Sequence, residues 1–428
     1  MRRKNMAALL ALISVFALVV AACGSGDKSK SGGSTTTAKK GGTPVPGQGF
    51  DGTTITLGVI TPTSGTASIV GNPLTAGNQV YWDAKNASGG VAGKYKVKLE
   101  VRDSKYEPTP AGQAFDEISS KVAAFQQILG TQISQSLIQK LDDQGLAAGP
   151  ATLDAEWLVE PNLFPIATTY QILAINAVDY YLNKAGGKGK TICQIAQDDA
   201  YGDAGVAGMN FAAKQLNFKI AVTARYATGA DKTASIQQLQ DGKCDFVYGT
   251  VFATDTPSVI GKAVAANFTP QWALMSPAWV TAFGGLADVG PYLQKNAWVS
   301  SVGASWGDTN VPGMAQMLDA VKQYKPDQAP DIYFAFGYAQ AWAMDQILEK
   351  AAGNGDLSPK GITAAIGDVG TLKFGDLVPD FTYGSDVAKR QAPPVSTLFT
   401  VDPSVPGGLK AAAVNYTSDA AKAYKFTK

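Results

Sequence analysis

The sequence predicts an α/β protein of two similar lobes, each a mostly parallel sheet covered by helices on both faces, with a cleft between them. Two observations predict it. Short runs of alternating apolar residues are each followed by a helical stretch, and this rhythm, established between residues 54 and 130, restarts near Lys190. In open parallel sheets ligands sit beyond the carboxyl ends of the strands, so the loops after those runs are the places to read for function.

The chain opens with a segment that is kept out of the fold. Arg2, Arg3 and Lys4 precede a fourteen-residue apolar run, 7–20, too short to span a bilayer comfortably, and Val20-Ala21-Ala22-Cys23 follows. This resembles a bacterial lipobox, which implies a signal peptide over 1–22 and a diacylglycerol on the sulfur of Cys23. Removing 1–22 leaves 33 basic and 35 acidic residues, a net charge of −2. Residues 23–50 are Gly, Ser, Thr and Lys with almost nothing to bury, so they read as a disordered tether, reaching roughly 30 Å.

From there each element has its own signal. Ile55, Leu57 and Val59 alternate in a strand over 54–60, with the turn TPTSG after it. Residues 76–86 read as a helix stopped by Gly89-Gly90, and Val97, Leu99 and Val101 mark a strand over 96–101. A helix is expected over 110–125, its stripe running from Ala111 and Phe115 to Val122 and Phe125, and QILG at 127–130 as a short buried strand. In the second half, strands are expected at TICQIA, IAVTARY and CDFVYGT, then at 272–275 and 298–302, with helices over 203–216 and 233–239. Cys193 and Cys244 lie at the beginnings of two strands expected to be neighbours, which makes a disulfide between them the expectation, with two buried thiols as the alternative.

The loops carry a family resemblance. GVITPTSGTASIVGNPLTAGNQVYWDAKNASGGVAG and VRDSKYEPTPA, then ILGTQISQS, AAGPAT, QDDAYGDAG, CDFVYGT, LMSPAWV and FGYAQAWAMDQILEKAAG, occur in the order of the leucine/isoleucine/valine-type class of type I periplasmic binding proteins. The similarity runs over roughly residues 53–400. It implies Rossmann-like lobes joined by three hinge crossovers, with 51–168 and 303–385 in one lobe and 169–302 and 386–428 in the other. It also implies capture of a small solute by lobe closure, no cofactor, no enzymatic step, and delivery to an ABC permease in the membrane.

Binding roles carry over by position. Ser64, Gly65 and Val70 are expected on one wall of the cleft. Ser134 and Gln135 are expected to open a helix whose free amides and hydroxyl suit a ligand carboxylate, Ser134 also serving as a helix cap. Ala151 and Thr152 occupy the next contacting loop, Tyr201 matches an aromatic that covers the solute, and Phe252 falls where a second ring stands, either on the ligand or in the core. The acids that neutralise an ammonium in amino-acid-binding members fall at Tyr170 and Ala278, and neither residue can do so. The cleft is therefore expected to present Tyr170, Tyr201, Phe252 and Trp279 to a planar or apolar group with one anionic or amide end, unless Asp154 or Asp199 reaches the site.

Other chemistry is excluded by composition. The chain has no histidine, so GASWG at 303–307 has no triad base, and neither a Cys-His dyad nor a His-ligated metal site can form within it. GKGKT at 187–191 precedes a strand instead of opening a helix, which removes the phosphate-loop reading. The acid pairs Asp142-Asp143 and Asp198-Asp199 are short of ligands for a metal. The 36 basic residues balance the 35 acidic ones, leaving no excess to track a nucleic acid. The expected function is a lipid-anchored extracytoplasmic solute-binding protein of an ABC importer; an amino-acid-binding member of the same family and a membrane-tethered sensor are the alternatives.

Overall fold

The computed structural model describes residues 41–427; the readings of 1–22 as a signal peptide, of Cys23 as a lipidation site and of the tether up to residue 40 lie outside them. The tether does not extend to residue 50. Phe50, the one large apolar side chain at its end, is buried edge-on against Tyr95, and Gln48 donates to the carbonyls of Ser119 and Val122. Gly49, with φ +70°, lies so close to Val122 and Ala123 that a Cβ there would clash, so the chain is already folded onto the body at this point.

The first sheet holds β1 (Thr54–Thr61), β2 (Lys96–Asp103), β3 (Ala124–Ile128) and β4 (Ala148–Pro150), all parallel in the order β2-β1-β3-β4. Between them run α1 (Ser68–Ala87), α2 (Pro108–Ile118) and α3 (Thr131–Gln144). α1 begins eight residues before its expected start: Gly71 and Pro73 discouraged a helix there, but Gly71 is needed because a Cβ would lie 2.2 Å from the Pro62 carbonyl. α2 is shorter than the expected 110–125. A single 3-10 turn ends it, and Val122 and Phe125 reach the same core cluster from a loop and from β3.

The second sheet holds β5 (Ile192–Gln197), β6 (Ile220–Tyr226), β7 (Phe246–Thr250), β8 (Gln271–Met275) and β9 (Ala297–Ser301), with α4 (Tyr170–Lys184), α5 (Ala200–Gln215), α6 (Thr233–Asp241), α7 (Thr256–Ala265) and α8 (Val289–Asn296) around them. The chain then returns to the first lobe for α9 (Pro312–Tyr324), α10 (Ile332–Gly353), α11 (Pro359–Asp368) and the two-residue pair β10 (Thr371–Leu372) and β11 (Phe381–Thr382). It ends with β12 (Ser396–Val401), β13 (Leu409–Tyr416) and α12 (Asp419–Ala423), which complete the order β13-β12-β9-β8-β7-β5-β6. β12 and β13 are antiparallel, so this sheet is mixed. The sequence reading passed over both; β13, LKAAAVNY, alternates small, half-exposed residues and lacks a strong apolar face, whereas β12, STLFTV, is an almost wholly buried run.

The chain thus crosses between the sheets three times, after β4, β9 and β11. The first and third crossings are fastened together: the Arg390 guanidinium donates to the carbonyls of Glu160 and Leu163 at 3.1 and 2.9 Å, and it lies over the Tyr383 ring. Cys193 and Cys244 are joined by a disulfide with their Cα atoms 5.8 Å apart. Among the described residues no helix is long and apolar enough to cross a membrane.

Candidate functional site

A cavity opens at the carboxyl ends of both sheets, where the strand order reverses. Its lining comes from the segments that follow β1 to β5 and β7 to β9, with the start of α10 and residues 377–378 closing it. On the first-lobe side Thr131 and Thr152 share a hydroxyl hydrogen bond of 2.7 Å, just past β3 and β4. On the second-lobe side Tyr201 meets Tyr170 edge-on with centroids 5.1 Å apart, and its hydroxyl donates to the Val251 carbonyl at 3.2 Å. Tyr106 stacks on Phe252 at 4.8 Å and so joins the two walls. Lys105 and Tyr106 are both left-handed, with φ of +51° and +62°, a conformation that costs a bulky residue energy and here turns the Tyr106 ring into the cleft.

No lining residue carries a formal charge. Burial pushes the Tyr170 phenol up to about 12, against the lowering pull of the Thr152 hydroxyl, and it raises the phenols of Tyr106 and Tyr201 further, so all three stay neutral donors. Of the helices that start at the cavity, α4, α5 and α10 are capped by the side chains of Thr169, Asp199 and Asp331, while α1, which follows Ala67, has no side-chain cap. α3 lacks one too. Its cap position is Gly130, with φ +114° and no side chain to offer, so the first-turn amides of α3 have no capping side-chain acceptor, and Gly130 and Thr131 at this start line the cavity. The arrangement offers hydroxyl groups and apolar surface without a charged side chain in the lining.

The family model described as periplasmic binding protein matches residues 54–393. The chain belongs to the periplasmic binding protein family. Membership places the body of this periplasmic binding protein on the extracytoplasmic side of the membrane. Its fold is that of the type I members. A fatty acid ABC transporter substrate-binding protein from Thermomonospora curvata superimposes with a TM-score of 0.81 at 23% identity, over 89% of this chain and 97% of that one. A possible leucine/isoleucine/valine-binding protein from Rhodopirellula baltica gives 0.73 at 20%, over 86% and 98%. A branched chain amino acid ABC transporter from Thermus thermophilus with bound valine gives 0.73 at 16%, over 88% and 99%. No curated protein matches in sequence.

In this periplasmic binding protein the cleft brings together six of the expected residues: Val70, Ala151, Thr152, Tyr170, Tyr201 and Phe252. The others stand elsewhere. Ser64 donates to Asp103 at 2.5 Å on the surface, and Gly65 is exposed beside it. Ser134 does not open a helix: α3 starts three residues earlier, the Ser134 amide is already bonded to the Gly130 carbonyl, and Gln135 points to Glu156. Ala278 and Trp279 are buried away from the cleft, because the 3-10 turn Ser276–Ala278 swings them inward, where the indole donates to the Gly407 carbonyl at 3.3 Å. Ser276 and Pro277 line the cleft in their place. Asp154 is taken up by Gln171 and the Glu156 amide. Asp199 lies in a smaller depression next to Tyr106 and Tyr201, and burial raises its carboxyl.

The sequence reading missed Tyr106, Thr131 and Tyr333. Gly130-Thr131 directly after a buried strand was a usable signal, since a glycine there marks the helix start. Nothing in the sequence foretold the left-handed pair at Lys105 and Tyr106, because neither residue favours positive φ.

Proposed function

We propose that this protein is the lipid-anchored, non-enzymatic solute-binding component of an ABC importer, and that its solute is a small carboxylate or amide with an apolar or aromatic tail. The observation that carries the reading is the pairing of an uncharged, largely apolar cavity with the uncapped start of α3, flanked by the Thr131 and Thr152 hydroxyls. Free amides and hydroxyls hold an anionic or amide oxygen, and the partial positive charge of the helix start favours the anion. A zwitterion fits less well. Its ammonium would be buried with no acidic side chain lining the cleft, which costs several kcal/mol and removes most of a micromolar affinity. The fold-level likeness to a protein named for fatty acids supports the same direction. Tyr201 and Phe252 cover the tail when the lobes close.

The test is a thermal-shift screen followed by calorimetry, over straight-chain and aromatic carboxylates, their amides, leucine and valine. Carboxylates with apolar tails are expected to raise the melting temperature and the free amino acids to leave it unchanged. Tight binding of leucine or valine with no response to any simple carboxylate or amide overturns the reading. The anchor is tested separately: Cys23→Ala should release the protein or leave an unprocessed precursor, and unchanged membrane retention of a processed chain refutes it.

A further inference from the structure

The cavity does not end at the aromatic walls. Beyond Val302 and Phe336 it continues to Ala304, Leu377 and Val378, which belong to the apolar core of the first lobe, whereas Tyr170, Tyr201 and Phe252 belong to that of the second. The two ends differ in chemistry. At one end Thr131, Thr152 and Tyr170 bring three hydroxyls to the lining. At the far end the side chains carry no polar atom, and the Leu377 carbonyl is occupied by the Ala304 amide at 3.0 Å. A polar group placed there would lose its hydration without gaining a partner.

The far end is also held firmly. Leu377 and Val378 follow a turn in which Gly375 and Asp376 are both left-handed, with φ of +53° and +64°. Three hydrogen bonds pin that turn: the Gly313 amide donates to the Gly375 carbonyl at 2.7 Å, the Leu377 amide to the Phe374 carbonyl at 3.1 Å, and the Phe374 amide to the Asp380 carboxylate at 3.2 Å. Two glycines let backbones touch there. A Cβ at Gly303 would lie 2.4 Å from the Leu377 carbonyl, and one at Gly313 would lie 2.1 Å from the Phe374 carbonyl. An end wall fixed from two sides cannot recoil from an over-long ligand as a free loop would.

We propose that Leu377, Val378 and Ala304 form the stop of the apolar channel and set the length of tail that the protein accepts. This rests on the reading of the solute as a carboxylate or amide with an apolar tail. With the polar head at the start of α3, the tail runs past Val302 and Phe336, and each methylene it buries before the stop adds about fourfold in affinity. The first methylene beyond the stop meets Leu377 or Val378 and reverses the trend.

Calorimetry of the full folded chain with a series of unbranched monocarboxylates, from four carbons upward, tests this. In the unaltered protein affinity should rise by about fourfold per carbon, reach an optimum, and fall. Leu377→Ala should move the optimum two to three carbons longer, and Ala304→Val should move it about one carbon shorter. Should Leu377→Ala fail to fold, Val378→Ala, a smaller deletion, is expected to lengthen the optimum by one to two carbons. An optimum that stays at the same length in folded variants, with affinity lowered uniformly or unchanged, overturns the length-setting role and leaves the carboxylate reading standing. Failure of the unaltered protein to bind any member of the series, when aromatic carboxylates or amides do bind, overturns the channel; failure with every carboxylate and amide overturns both.

Discussion

In the first sheet the order β2-β1-β3-β4, and in the second the run β6-β5-β7-β8, put the switch in strand order at the same place, so the two lobes present equivalent loops to one cleft. The loops carry opposite chemistry. Those of the first lobe offer the Thr131 and Thr152 hydroxyls and an open helix start; those of the second offer the rings of Tyr201 and Phe252. They are also secured differently. Phe252 stands on a segment tied down by a buried ion pair: Lys232 Nζ lies 2.6 Å from Asp255, sits over the Tyr226 ring, and the Asp255 amide donates back to the Phe252 carbonyl. Thr131 and Thr152 are held by each other and by the ends of their strands. At the head of the cavity one lobe thus supplies the groups that recognise an oxygen and the other a rigid aromatic cover, a division that lets either face change without rebuilding its partner.

The largest effects are expected where the cover is secured. Lys232→Ala leaves Asp255 buried without its cation and should cost about 3–5 kcal/mol in denaturant unfolding. Replacing both partners with apolar residues, Lys232→Met with Asp255→Leu, should recover most of that loss. If the single change is as mild as a surface substitution, the ion pair is not what holds the Phe252 wall. The disulfide comes next. Cys193 and Cys244 are 51 residues apart, and replacing both with Ala should lower stability by about 2–4 kcal/mol, without altering ligand affinity at temperatures where the fold survives. Two alkylatable thiols in exported, unreduced protein would refute the bond.

The two lobes were unequally legible in the sequence. The parallel strands announced themselves because buried strands leave dense apolar runs such as TICQIA and CDFVYGT, and the aromatic cover could be placed by resemblance at Tyr201 and Phe252. The polar wall was misplaced by one helical turn. Serine is a common cap, so Ser134 drew the reading, yet the chain caps α3 with Gly130 because only a residue free to adopt φ +114° makes that entry. Trp279 was misplaced for another reason: a 3-10 turn shifts which side of the chain faces the cleft, and three residues of irregular backbone leave no periodicity to detect it. The far end of the channel was invisible, since it joins residues 302–304 to 377–378 across more than seventy positions.

A capped helix start at the same cavity offers a control of intermediate size. Asp331 caps α10 through the amides of Tyr333 and Phe334, yet burial outweighs those bonds and pushes its carboxyl up to about 6, from an ordinary 3.8. Between about pH 4 and 6 the unfolded chain has released this proton while the folded chain keeps it. Stability therefore falls as pH rises through that window and is fully restored only below it, by about 1–3 kcal/mol. Asp331→Asn keeps a capping oxygen and should flatten this part of the pH–stability profile measured by denaturant unfolding. A decline of the same size in the variant would assign it to another group.

The smallest effects separate the two faces most directly, because they compare one hydroxyl on each. The Thr131 hydroxyl lies beside the open start of α3 and is paired with another hydroxyl, that of Thr152, so it can turn to a ligand oxygen. Thr131→Val keeps the shape, removes that donor and should weaken binding of an apolar carboxylate by about tenfold, or roughly 1.4 kcal/mol. The Tyr201 hydroxyl is already spent on the Val251 carbonyl, and what it presents to the cleft is its ring. Tyr201→Phe keeps the ring and should change affinity by no more than about threefold, whereas Tyr201→Ala removes the cover and should cost about 1–3 kcal/mol. Calorimetry of the three variants with one carboxylate ranks them. A loss in Tyr201→Phe as large as that in Thr131→Val would mean that both lobes bind the head group, and the division between a recognising lobe and a covering lobe would fail.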